Sequence, residues 1–489
     1  MRTWIGVHLP QLPLETFRPR WSEPGPHVVV DREQVRAASA QAAAGGVRLG
    51  MRRASVQTLC PDAVLHERDL AREQEALSSI ALALLQYTPE VALAGESSLL
   101  LDVTASLRAF GGRLALCRLV RAAVGALGFT PQLGMAPTAQ AAWLFARHRS
   151  EAALRQRRAV RMETMVRRMD RLRCTLLPAL YPYREWLEGI GCHTFADLRR
   201  LPRAGLQRRC DKSVLDALDR AYGHAPELFE WVEAPKTFAA QMELPDRIEH
   251  AEAVLFAARR LLLQMTGWLV AQQLAVSRFV LLLLHERGRS AVAPTPVEIA
   301  LADPAWQEAH LTRLLKERLG RVALPAPVIA LRLEALQVAA MQPPTESLFP
   351  DPGSSPADYH RLLELLTARL GDCGVLSPSP RADHRPEVSN AWTPAAAPGR
   401  AAPAPALQAE RPFWLLETPI ALIMRDNRPF YGSPLRLLKG PERIECGWWD
   451  GGLVMRDYFI AQDAASTCYW VYRERFGEEV CWFLQGFFS

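Results

Sequence analysis

The sequence predicts a multi-domain α/β (α+β) protein with a small β-rich, aromatic region at its C-terminus. Three observations carry this. The 489 residues exceed what one compact core holds. Strand and helix patterns alternate over residues 1–150 and again over 238–338, with a helical stretch between. Residues 411–489 then switch to short β-like runs dense in Trp, Tyr and Phe.

Composition bounds the partners. No uninterrupted apolar run reaches the roughly 20 residues that span a bilayer, so no membrane is expected. The start, M-R-T-W-I-G-V-H-L-P, lacks a signal-peptide layout. Nine cysteines include no C-x-x-C, which points away from zinc modules and disulfide frameworks and toward a reducing cytoplasm. The net charge of +6 is carried almost wholly by Arg, because Lys212, Lys236, Lys316 and Lys439 are the only lysines. Arg suits planar and phosphate recognition, and excess positive charge favours a polyanion partner.

In chain order, residues 3–9 read as a strand and P-Q-L-P-L-E-T-F as the start of a helix. V-V-V at 28–30 is a second strand, and the alanine-rich 37–51 a short helix closed by glycines. Leu77 to Tyr87 is helical. V-A-L-A-G-E-S-S-L-L-L-D-V-T at 91–104 makes two strands around Gly95, and Leu99 to Leu101 are apolar enough for burial on both faces. A helix from about 107 to 127, the strand Q-L-G-M-A-P and the helix A-Q-A-A-W-L-F-A-R-H complete a ferredoxin-like sheet with an insertion at 28–75. A hard divalent cation at the 91–104 bend needs carboxylate oxygens. The bend instead centres on Ser97 and Ser98, with Glu96 before them and Asp102 beyond.

Residues 151–173 are an arginine run, read as a solvated face or linker rather than a phosphate track. Within the helical 176–223, Gly189-Ile190-Gly191 has the form of a phosphate-holding hairpin turn, or merely ends a helix. Phe238 to Val338 gives a strand, a long helix (249–270), the strand A-V-S-R-F-V-L-L-L-L-H-E, a strand (297–301), a helix (305–319) and a closing strand (328–336). The polar linker 340–358 carries T-E-S-L-F-P, whose Leu348 and Phe349 have no local core. A helix at 358–370, R-A-D-H-R-P-E-V and an Ala/Pro-rich spacer at 393–407 follow. The C-terminal aromatics, interleaved with Arg, suit base stacking, a small core or a docking edge.

Five motifs in order resemble the Y-family (lesion-bypass) DNA polymerases: V-R-L-G-M at 47–51, L-C-P-D-A-V at 59–64, Y-T-P-E-V at 87–91, L-D-V-T at 101–104 and L-G-M-A-P at 133–137. The resemblance implies a palm at 1–27 and 76–150, fingers at 28–75, a helical thumb at 151–225 and a DNA-binding little finger at 236–340. The linker at 341–358 then holds a clamp-binding peptide, 359–407 is a helix with a Pro/Ala-rich linker, and 408–489 binds partners. A working enzyme of that family needs carboxylates for two Mg²⁺ ions. On the family register the first metal aspartate falls at Gly6, and the paired Asp-Glu at Ser97 and Ser98. The fingers' nucleotide-binding Tyr and Arg fall at Ala40 and Ala43, the palm lysine at Trp143 and a second lysine at Ala139. Hydroxyls do not hold Mg²⁺ against water, so no metal, no cofactor and no catalysis are expected. His8, Glu96 and Asp102 are near in sequence, but Glu96 faces away unless the strand slips by one residue.

P-Q-L-P-L-E, A-D-H-R-P-E at 382–387, G-P-E-R-I-E-C-G-W-W-D-G, R-D-Y-F-I-A and W-F-L-Q-G-F-F extend the resemblance to the ImuB branch of that family. It implies an adaptor that joins DNA, the sliding clamp, an error-prone DnaE-type polymerase and a RecA-like, ImuA-type protein. The clamp peptide corresponds to Thr345, Ser347, Leu348 and Phe349, with Thr345 where glutamine is usual. DNA contact is expected from Arg203, Arg208, Arg209, Lys212 and Arg278, since A-L-Y-P-Y at 179–183 replaces the family's Gly-x-Gly hairpin. Partner capture is expected at Trp448, Trp449, Trp482 and Phe483. Two other readings stay open, an active polymerase with a rearranged metal site and a single-stranded-DNA-binding protein.

Overall fold

A computed structural model of the chain describes residues 2–148, 157–286, 292–342, 356–395, 410–475 and 480–488. They form two compact units, Met1–Arg369 and Leu370–Ser489.

The first unit is built on a four-stranded sheet ordered Val91–Leu93, Ser98–Asp102, Trp4–His8, Gln132–Ala136. Its back face, with Ile5, Val7, Leu99 and Leu101, packs on helices Leu70–Leu84 and Arg113–Ala126. Its front face carries the helix Ala139–Arg147. That helix lies unusually close because Gly6 and Gly134 stand side by side beneath it. A Cβ on Gly134 would sit 2.2 Å from the Ala142 carbonyl oxygen, and one on Gly6 2.6 Å from it. Only glycine fits at either position.

The insertion is a separate three-stranded sheet, Gln34–Ala38, His27–Asp31, Val64–Glu67, over a small core of Val28, Val30, Val35 and Val56. Its hairpin turns through Arg32 and Glu33, both at positive φ (47° and 65°). Such turns normally announce themselves by Asn-Gly or Asp-Gly, so the second strand left no mark in the sequence.

The thumb helices share one core with the Ala139–Arg147 helix. Gly191, at φ 72°, follows the helix Arg184–Gly189 and leads to the Thr194–Asp197 capping box of the next. The two-glycine turn therefore ends a helix, which is the plainer of its two sequence readings.

The segment after the thumb is stitched to the palm. Val232 N donates to Val91 O (2.8 Å), and Phe229 and Trp231 pack on Trp4. Beyond it, the four-stranded sheet Thr295–Ala305, Leu274–His285, Val328–Ala340, Ala239–Ile248 holds helices Val254–Ala271 and Glu308–Leu319 on one face. Among the described residues one helix, Ala251–Ala271, is long and apolar enough to cross a membrane. Its apolar surface is used twice. One side covers this sheet, and the other packs on the palm helix Leu70–Leu84, where a Cβ on Gly267 would lie 1.9 Å from Leu82 O.

The helix Pro356–Leu370 also packs here. Buried Glu364 accepts from Ala302 N (2.7 Å) and lies 2.8 Å from His310 Nε2.

The second unit is a seven-stranded sheet running from Ser433–Pro434 at one edge through Arg428–Tyr431, Trp414–Arg425, Trp482–Phe487, Cys468–Glu474 and Val454–Gln462 to Arg436–Cys446 at the other. The A-D-H-R-P-E stretch, expected in a linker, belongs to this unit. It lies between the paired strands Leu376–Pro380 and Asn390–Pro394. Arg385 bridges Asp383 (2.8 Å) and Asp450 and donates to Gly452 O (3.2 Å). Such a buried guanidinium requires carboxylates around it, and these lie on either side of what the sequence presented as a spacer.

Candidate functional site

The positions expected to carry metal chemistry do come together. His8 pairs with Ser98 on one side and Gln132 on the other, two residues along the strand from Gly6 and so on the same face. Ser98 Oγ lies 3.0 Å from His8 Nδ1, and Ser97 Oγ 3.4 Å from it. Gly95, at φ 64°, turns the chain so that Ala94 N bonds Ser98 O and the two serines meet His8. The strand register matches the sequence reading. The donors are two hydroxyls and an imidazole, with no side chain at Gly6 and no room for one.

The nearby carboxylates serve elsewhere. Glu96 points to the insertion, where it pairs with Arg68 (3.2 Å) and Arg36 (3.5 Å). Arg68 also holds Glu73 (2.7 Å) and Asp31 (3.1 Å), and these partners raise its pKa further. Asp102 is buried and accepts from Thr104 N (3.0 Å) and Thr104 Oγ1, which closes the strand end. Among the described residues no three His, Cys, Asp or Glu side chains form a metal-sized group. The residues present do not fit a Mg²⁺ centre.

The phosphate-binding positions are likewise reused. Ala40 and Ala43 are exposed methyl groups on the short helix Ala40–Ala44. Trp143 is buried to 7% exposure, reaches the Gly95 turn and stacks under the Arg147 guanidinium (4.4 Å). Arg147 Nη2 donates to Tyr181 OH (3.0 Å), so indole, guanidinium and phenol tie palm to thumb. Sequence reasoning missed this tie, although Tyr181 stands in the A-L-Y-P-Y that replaces the family hairpin. Ala139 begins its helix, whose free N–H groups at Ala139 and Gln140 are filled by the Glu227 carboxylate (2.9 and 2.7 Å). Burial pushes the Glu227 pKa up despite those bonds.

The proposed DNA contacts divide. Arg208, Arg209 and Lys212 are exposed on the thumb, and Arg209 lies over the Trp186 ring at 5.7 Å. Arg203 is held by Asp219 through two bonds (2.9 and 2.7 Å), and Arg278 is paired with Glu298. Thr345, Ser347, Leu348 and Phe349 lie outside the described residues.

In the second unit, Trp448 and Trp449 are 70% and 57% exposed at the hairpin between Arg436–Cys446 and Val454–Gln462. Arg385 holds that loop through Asp450 and Gly452. Trp482 and Phe483 require correction as docking residues. Trp482 is buried in the sheet core, and Phe483 is half-buried against Tyr472 at 5.1 Å. Tyr458, Trp470 and Tyr472 are buried too, so most of the aromatic run is core rather than a stacking surface.

An acid-sensitive contact sits in the insertion. His27 Nδ1 and His66 Nε2 are 3.2 Å apart, and Phe17 stacks on His66. Both imidazoles are held below the ordinary 6.5, by burial first, then Arg18 for His27 and His27 for His66. Between the lowered pKa and 6.5 the folded chain binds fewer protons than the unfolded chain, so stability rises with pH there. Melting temperature is therefore expected to fall as pH drops below 6.5, and His66→Leu to flatten that slope.

This arrangement, a ferredoxin-like sheet with an inserted three-stranded sheet, then a helical segment and a second four-stranded sheet, is the mixed α/β architecture expected of a Y-family polymerase-like fold. Residues 15–147 match the impB/mucB/samB family. The chain is similar to the Y-family DNA polymerases, and over most of its length to a protein of the ImuB type. Over 476 residues it is 26% identical to Protein ImuB of Caulobacter vibrioides, covering 91% of this chain and all of that one. It is 27% identical to DNA polymerase IV of Aeromonas hydrophila over 219 residues, 44% of this chain and 62% of that one. Among solved structures, DinB from Sulfolobus solfataricus aligns with 70% of this chain and all of its own, at 14% identity and a TM-score of 0.38.

Proposed function

We propose that this chain is a non-catalytic Y-family polymerase homologue that acts as an adaptor in SOS-induced translesion synthesis and mutagenesis. In the cytoplasm it holds DNA and the sliding clamp, and its C-terminal unit recruits an error-prone DnaE-type polymerase and an ImuA-type RecA-like protein. One observation carries the reading. Gly6 is sealed against the Ala142 backbone while Ser97 and Ser98 share His8, which leaves the palm without a carboxylate pair for Mg²⁺. Trp143 in place of a phosphate-binding lysine and the exposed Trp448–Trp449 loop support it. The clamp arm is tested by Leu348→Ala with Phe349→Ala. Capture by the sliding clamp is expected to fall at least about tenfold, since an apolar anchor pair supplies most of the affinity of such a peptide. Unchanged capture would place the clamp contact elsewhere.

A further inference from the structure

The two four-stranded sheets of the first unit meet through a pair of helices that touch at one end and part at the other. At Gly267 the helix Val254–Ala271 lies against Leu82 and Ala83 of the helix Leu70–Leu84, with no room for a Cβ. Toward the N-terminus the same face carries Gln264 and Arg260, one and two turns from that contact. They share a cleft with Ala76 and Ser79, so the helices run antiparallel and these short side chains leave the space between them unfilled. Gln241 and Glu243 of the strand Ala239–Ile248 close one side. The cleft measures about 490 Å³, the size of a small-molecule site.

Two groups in this cleft lack what burial normally requires. Gln264 is 5% exposed, and its carboxamide makes no hydrogen bond among the described residues. Arg260 is mostly buried with its guanidinium over the Phe129 ring at 5.0 Å, and it has no hydrogen bond or ion pair among the described residues. Burial pulls its pKa down to about 10, so it stays charged at neutral pH. A ring face shelters one side of a guanidinium but satisfies none of its N–H donors. A buried charge and a buried amide are both costly until a partner reaches them.

The acids around the cleft do not supply that partner. Asp69 caps its helix by accepting from Arg72 N (3.0 Å), and Glu243 is held by Arg72. Glu75 is exposed and attracts Arg260 without bonding to it. Water fills such a space but brings no charge, whereas an oxyanion takes two bonds from a guanidinium fork. A tetrahedral phosphate has oxygens enough for Arg260, Gln264 and Ser79 together, and a carboxylate does not.

We propose that this cleft binds a small oxyanion, phosphate or a phosphate monoester, through the Arg260 guanidinium and the Gln264 carboxamide. A ligand there touches both helices, so its binding also ties the two sheets together and stabilises the first unit. The site lies apart from Gly6, Ser97 and Ser98, and it stands whether or not the adaptor reading does.

The test is equilibrium dialysis of the full chain against radiolabelled inorganic phosphate at constant ionic strength, with thermal melts in parallel. One equivalent is expected to bind saturably and to raise the melting temperature. Arg260→Gln is expected to weaken binding at least about tenfold, and Gln264→Leu at least about threefold, since each removes bonds to a charged group. Arg313 is exposed and outside the cleft, and Arg313→Gln is expected to change binding by less than about twofold. Without phosphate, Arg260→Met is expected to melt no lower than wild type, because it removes an unpaired buried charge, and phosphate should not raise its melting temperature. Competition with ribose 5-phosphate separates the sources. Displacement at least about tenfold tighter than by phosphate assigns a monoester, and a smaller preference assigns phosphate itself. Binding that never saturates, binding unchanged in Arg260→Gln, or an Arg260→Met chain that melts well below wild type without phosphate would overturn the inference.

Discussion

Aspartate at Gly6 is expected to break the palm rather than repair it. The position lies at the centre of the sheet between Leu100 and Gly134, and its missing Cβ is what lets the Ala139–Arg147 helix descend. A Cβ there would meet Ala142 O at 2.6 Å and Trp143 N at 2.9 Å, both backbone atoms that move only with the helix. Gly6→Ala should therefore cost about 1–3 kcal/mol by overpacking. Gly6→Asp adds an ionised carboxylate with no cation beside it, which costs several kcal/mol more, a large part of a typical domain's stability. Ser97→Asp, on the turn, serves as the tolerated control. Urea unfolding should rank wild type and Ser97→Asp first, Gly6→Ala next and Gly6→Asp last. A Gly6→Asp chain as stable as wild type would mean that the helix yields and that the site is not sealed.

Loss of Trp448 and Trp449 together is expected to abolish partner capture and leave the fold intact. The two rings meet edge to face at 4.8 Å, and Arg385 lies 5.8 Å from the Trp449 ring. The loop is thus presented in one shape, and ordering it on binding costs little. Exposed tryptophans on a fixed loop are typical binding hot spots, each worth about 2 kcal/mol or more when truncated. The double Trp→Ala variant should lose on the order of a thousandfold in affinity for the partner that docks here. Pull-down and titration with the DnaE-type polymerase and the ImuA-type protein check this. Unchanged binding of both partners would move the docking surface elsewhere, and a lowered melting temperature would make the pair structural.

The palm was the most legible part of the chain, because its strands are short apolar runs and its register is marked by L-D-V-T. That register put Gly6, Ser97 and Ser98 on one site, and they lie there with His8 between the serines. What remained hidden depended on partners distant in sequence. Glu96 could not be seen to belong to Arg68, nor Tyr181 to Arg147, since each pair is joined only by the fold. Arg385 looked like part of a linker for the same reason. Trp482 and Phe483 shared the aromatic composition of Trp448 and Trp449, and only the pairing of their strand with two neighbours shows that Trp482 is core and Phe483 half-buried. Composition names the residue type, whereas register decides which face it occupies.

In the proposed adaptor role the chain carries no polymerase chemistry of its own. Primer extension by the purified chain, with Mg²⁺ and with Mn²⁺, tests it most directly. No nucleotide incorporation is expected under either metal, on damaged or undamaged template. Robust extension that disappears in Glu96→Ala would contradict the account, because it would mean that Glu96 leaves Arg68 to serve a working metal site.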